Sequence, residues 1–135
     1  MESPLTIVIL AAGLGTRMKS RKAKVLHEAG GKTLAEHVVD TALELTAPGS
    51  IYVVVGHQAA EVRDTVASRG VQFAEQTEQK GTGHAVLCCE SVVRERAGRV
   101  VVLYGDVPLL KATTLRKLIE LQTSSGAAAA AISTF

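Results

Sequence analysis

Tryptophan is absent from this chain, and aromatic side chains make up only 3 % of it. That excludes a base-stacking platform for nucleic acid. It also requires a core of Val, Leu, Ile and Ala, as in α/β proteins. Charge of one sign is lacking too: 15 Lys and Arg stand against 13 Asp and Glu, a formal net charge of +2. No Lys/Arg run is long enough to make a basic stripe, so no nucleic-acid partner is expected. Cysteine is confined to the adjacent pair Cys88 and Cys89. With no Cys-x-x-Cys and no His pair at metal spacing, a zinc site is not expected, and the pair reads as small buried thiols in a reducing compartment. No apolar run approaches the ~18 residues of a membrane-spanning helix. The start, Met1-Glu2, lacks the basic segment of a secretory leader. A soluble, cytoplasmic protein is expected. Gly-x-Ser-x-Gly and Gly-x-x-x-x-Gly-Lys-[Ser/Thr] are also missing, which removes the hydrolase elbow and the P-loop.

What is present is 47 % apolar and 21 % charged residues over 135 positions, which suits one globular domain. Leu5–Leu10 is an apolar run that predicts a strand buried on both faces. Residues 11–32 read as loop, pinned to the core by Val25 and Leu26. Thr33 with Glu36 forms a capping-box pattern before a helix carrying Leu34, Val38, Ala42 and Leu45. Ile51–Val55 predicts a second strand, and 59–69 a helix closed by Gly70. Val71–Ala74 reads as a short strand. Thr82 is placed to cap a helix over 83–96 with Ala85, Cys89 and Val92 on one face. Arg99–Tyr104 predicts another buried strand, and 112–124 a helix. The tail after Gly126 is read as a strand because it follows a βα unit.

This alternation predicts a three-layer α/β/α fold around a mostly parallel, Rossmann-like sheet of about five strands. Ligands in such sheets bind at the carboxyl ends of the strands. The glycine loop, His57, Gln76 and Gly105-Asp106 all follow strands and are expected on one edge.

The loop Leu10-Ala11-Ala12-Gly13-Leu14-Gly15-Thr16-Arg17-Met18 reads as a phosphate cradle, the alternative being a tight strand-to-helix turn with an exposed arginine. Small residues let backbone N–H groups approach an anion, and Arg17 adds a fixed fork of donors. It fails the Gly-x-Gly-x-x-Gly dinucleotide pattern at Met18, which disfavours a dehydrogenase. Asp106, after a glycine at a strand tip, is placed either to hold Mg2+ or to cap a turn. Gly81-Thr82 offers amides at a helix start, and the amide of Gln76 suits a nucleobase edge. None of the four histidines has a partner that suggests a triad.

Taken together, these motifs resemble the uridylyltransferase (pyrophosphorylase) domain of the bacterial bifunctional GlmU family, within the nucleotide-diphospho-sugar transferases. The resemblance rests on the glycine loop, Lys24-Val25-Leu26-His27, Gln76 to Ala85, and Tyr104-Gly105-Asp106-Val107-Pro108-Leu109. It runs the full length in order. Molybdopterin guanylyltransferases and methylerythritol cytidylyltransferases resemble only the first loop. The likeness implies that Leu10, Ala11, Ala12 and Gly13 hold uridine and phosphates through backbone groups. Gly15 and Arg17 would embrace the triphosphate, and Lys24 would neutralise the α-phosphate. Gln76, Gly81 and Thr82 would read uracil. Tyr104 and Gly105 would border the sugar and nucleotide, and Asp106 would bind Mg2+. Ala23 departs from the family, which usually has proline there.

The implied reaction joins UTP and N-acetylglucosamine 1-phosphate into UDP-N-acetylglucosamine and pyrophosphate, a precursor step for peptidoglycan and lipopolysaccharide. The family's sugar-binding residues lie past position 135, so residues 1–135 are expected to be the nucleotide-binding part of a longer domain. The parent is expected to be a homotrimer assembled through a C-terminal domain. The alternatives are a nucleotide-binding module without catalysis and a nucleotidyltransferase for another sugar phosphate.

Overall fold

Along the first strand, β1 (Leu5–Leu10), side chains alternate between two apolar environments. Ile7 and Ile9 pack in one cluster and Val8 in another, and all three are fully buried. A strand buried on both faces has to be central with helices on either side. A computed structural model describing residues 4–13, 22–56, 59–96 and 98–132 has that arrangement. The four-stranded sheet runs in the order β5-β4-β1-β6, where β4 is Ile51–Val55, β5 is Gln72–Glu75 and β6 is Arg99–Tyr104. Every neighbouring pair is parallel.

One face is covered by α1 (Leu34–Leu43) and α2 (Ala59–Val66), through Val38, Val39, Ala42, Val62 and Val66. Leu115 of α5 (Ala112–Ser125) joins the same cluster. The other face is covered by α3 (Gly81–Leu87) and α4 (Glu90–Glu95), with Ala85 and Cys89 buried against Val8 and Val54. The three-layer α/β/α fold is therefore present. Among the described residues no helix is long and apolar enough to cross a membrane.

Four expectations are corrected. The sheet has four strands rather than about five among the described residues, because 127–132 form no strand. The loop over 11–32 contains a small antiparallel ribbon, β2 (Glu28–Ala29) with β3 (Lys32–Thr33). Its turn is Gly30-Gly31, both at positive φ, the conformation a tight hairpin requires. The helix over 83–96 is two helices broken at Cys88-Cys89, with no side-chain cap from Thr82 and with Val93, not Val92, against the sheet. β6 is buried on one face only: Val100 and Val102 are 37 % and 43 % exposed, because α3 and α4 lie over β1 and β4 and stop short of it.

The capping box at α1 is complete, with Thr33 Oγ1 accepting from the Glu36 N–H and a Glu36 carboxylate oxygen accepting from the Thr33 N–H. Glu36 and Asp40 also share Arg69, which donates to Asp40 at 2.7 Å and lies 3.3 Å from Glu36. The backbone N–H of Thr33 holds the Glu36 carboxyl below its ordinary range, and the Arg69 guanidinium does the same for Asp40. Carboxylates depressed in the folded state add stability above their unfolded pKa, near 4, and lose it as pH falls through the lower folded value. Arg69→Met is therefore expected to flatten the acid limb of stability. Urea unfolding at pH 7 and pH 3 should show a smaller drop for the variant than for the parent. An equal drop would mean the cluster does not couple to folding.

Candidate nucleotide site

At the carboxyl ends of β1 and β6 the backbone continues to pair briefly beyond the strands. The Ala11 N–H donates to Val54 and the Gly105 N–H to Leu10, both at 2.9 Å. A methyl on Gly105 would lie 2.9 Å from the Leu10 carbonyl oxygen and 3.1 Å from Val25, so this junction closes only around glycine. Beyond it the chain segments diverge and leave a cavity of about 250 Å³.

From the glycine-loop side the cavity is lined by Leu10, Ala12, Gly13 and Lys24, and from the others by Gln76, Gly81, Thr82, Tyr104 and Asp106. Nine of the expected site residues thus surround one space. Ala11 and Gly105 lie under it, with their N–H groups committed to the sheet. Gly15, Arg17 and His57 fall outside the described residues.

Lys24 is held by its neighbours. It opens a 3-10 turn, Lys24–Leu26, whose Val25 and Leu26 are buried, and the preceding Ala23 is fully buried. Its ammonium lies 2.9 Å from an Asp106 carboxylate oxygen. Among the described lining residues these two carry the only formal charges, one of each sign, side by side. A cation of this kind can meet an anionic group, and a carboxylate can meet a metal ion. A neighbouring hollow of about 430 Å³ shares Gln76 and Gln79, but its only described charge is Glu75, which suits no phosphate.

Gln76 is buried at 3 % exposure. Its side-chain nitrogen is 3.2 Å from the Gly81 carbonyl oxygen and 2.9 Å from His84 Nδ1. Gly81 has φ +88°, a left-handed conformation that aims this carbonyl back at Gln76 and that other residues adopt only with strain. Two residues behind the site lie in the Gln76–Ala85 segment, but the sequence names no partner for either. Gln79 donates to the Ala12 carbonyl at 2.8 Å, fastening the first loop to the β5–α3 loop. His84 meets Gln76 from α3. Their partners are 67 and 8 residues away, so only the fold brings them together. Burial pushes the Cys89 thiol up to about 11, which leaves it inert beneath the site.

Comparison with known proteins bears on the family and the fold. The sequence is 64 % identical over 129 residues to the bifunctional protein GlmU of Solibacter usitatus (strain Ellin6076), covering 96 % of this chain and 28 % of that protein. It is 54 % identical over 119 residues to the bifunctional protein GlmU of Neisseria meningitidis serogroup A, covering 88 % of this chain and 25 % of that one. The chain thus spans about a quarter of the length of these relatives. The fold is shared with the crystal structure of Rv0371c from Mycobacterium tuberculosis H37Rv, at a TM-score of 0.76 and 24 % identity over 92 % of this chain and 63 % of that one. The MobA-like NTP transferase domain matches residues 7–134, nearly the whole chain, and the chain belongs to that family.

Proposed function

We propose that this chain supplies the nucleotide-binding part of a uridylyltransferase that uses UTP and N-acetylglucosamine 1-phosphate. The observation that carries the reading is the convergence of Lys24, Asp106, Gln76 and Gly81-Thr82 on one cavity at the strand ends. The similarity to GlmU proteins supports the choice of nucleotide and sugar.

The attacking sugar phosphate is already ionised at neutral pH, so its oxygen needs no general base. It would attack the α-phosphorus of UTP in line, and pyrophosphate would leave. Lys24, which lines the cavity, would neutralise charge on the α-phosphate, and Arg17 would hold the triphosphate. Catalysis of this kind is alignment plus charge neutralisation. Among the described residues no group of three or more His, Cys, Asp or Glu gathers as a metal cage. The donor set is one carboxylate, Asp106, which fits Mg2+, an ion that takes few protein ligands and fills its shell with phosphate and water. Bound there, Mg2+ would offset negative charge on the phosphates.

Calorimetry with the nucleotide triphosphates in Mg2+ tests the reading. UTP should bind at least about tenfold tighter than CTP, the worth of one well-placed hydrogen bond. Equal binding of the two overturns the uridine assignment. Pyrophosphate–UTP exchange then separates enzyme from binding module, since a module binds UTP without exchanging label.

A further inference from the structure

Gln76 presents an amide at the cavity, and an amide has two faces. Its nitrogen carries two donors and its oxygen accepts. The Gly81 carbonyl can only accept, so the atom 3.2 Å from it is the nitrogen, and this fixes which way round the amide sits. The same nitrogen lies 2.9 Å from His84 Nδ1, which must accept as well. Nδ1 is then the ring nitrogen that carries no proton in this contact. Both donors are spent on α3. The amide has only Oε1 left for a ligand, and Gln76 lines the cavity beside Gly81 and Thr82. A pyrimidine that presents an N–H there is matched, and one that presents a lone pair is repelled. Uracil carries a proton on N3, whereas cytosine carries a lone pair.

We infer that His84 is a positioning residue for base selection: its Nδ1 holds the Gln76 amide so that an acceptor faces the base, which favours N3–H pyrimidines over cytosine. This rests on the uridine reading above. His84 touches no base itself. Its effect passes through the orientation of a buried neighbour, and a donor released from His84 would be free to turn toward the ligand and weaken the discrimination.

The test compares binding of UTP, CTP and inorganic tripolyphosphate to the parent chain and to His84→Phe, His84→Leu and His84→Asn. Phe and Leu offer no acceptor, and two shapes guard against one variant failing to fold. Asn offers Oδ1 near the place of Nδ1. The UTP-to-CTP affinity ratio should fall about tenfold in the Phe and Leu variants, the scale of one buried hydrogen bond. Tripolyphosphate binding should stay within about twofold, and Asn should restore the ratio to within about threefold. An unchanged ratio in a folded Phe or Leu variant overturns the inference. So does a loss of UTP, CTP and tripolyphosphate binding together, which marks a structural role alone. A parent chain that binds UTP and CTP equally overturns the uridine reading, and this inference with it.

Discussion

Asp106→Ala in the complete enzyme is expected to lower kcat/KM for uridylyl transfer by about 10²- to 10³-fold, the loss typical of removing one electrostatic contact to a reacting centre. Stability should hardly move. The Lys24–Asp106 pair spans 2.9 Å, but the side chains are 42 % and 29 % exposed, so water screens it. Pairs of that kind contribute under about 1 kcal/mol. Pyrophosphate release and a thermal melt on the same sample check both halves of the expectation. Turnover that survives with the melt unchanged would mean that Asp106 serves only to hold Lys24.

Ile9→Ala should cost about 2–5 kcal/mol, the range for emptying a closely packed aliphatic site. Ile9 is fully buried in β1, opposite Val53 on one side and Leu103 on the other. Against a total stability of about 5–15 kcal/mol, one such change brings the domain close to unfolding. Val102 lies one residue before Leu103 on the open face of β6, at 43 % exposure. Val102→Thr should stay within about 0.5 kcal/mol. Urea midpoints measure the contrast, and equal costs would mean that the second face of β6 is covered in solution.

β1, β4 and β6 are legible in the sequence to the residue, because an apolar run bounded by charge, proline or glycine has few alternatives. The box at Thr33 and Glu36 is a local rule and is met locally. What escapes is whatever depends on contact across the fold. The helix breaks at Cys88-Cys89 while Ala85, Cys89 and Val93 pack in one cluster, and no local residue announces the break. Ala127–Ala131 sits after a βα unit, yet pairing needs a neighbouring edge as well as an extended chain, and the tail does not take one. The site divides in the same way. Gln76 and Asp106 follow strands, where ligands are met in such sheets, while Lys24 is singled out by the family resemblance. Gln79 and His84 belong to the Gln76–Ala85 segment, but that they support others from behind becomes visible only in their hydrogen bonds.

The strand order has a consequence for how the molecule comes into being. Leu10 pairs with Tyr104, roughly 90 residues later, while its other neighbour, Val54, arrives roughly 45 residues on. Doubling the length of chain to be closed costs only about 0.6 kcal/mol, so the finished domain loses little by it. The delay is kinetic, since distant pairings form late. A nascent chain leaving the ribosome holds Lys24 and Gln76 before Asp106 exists to join them at the cavity. Among the described strands the last to arrive, β6, is the one that leads into Asp106, so ligand binding at this cavity reports on the pairing of β6.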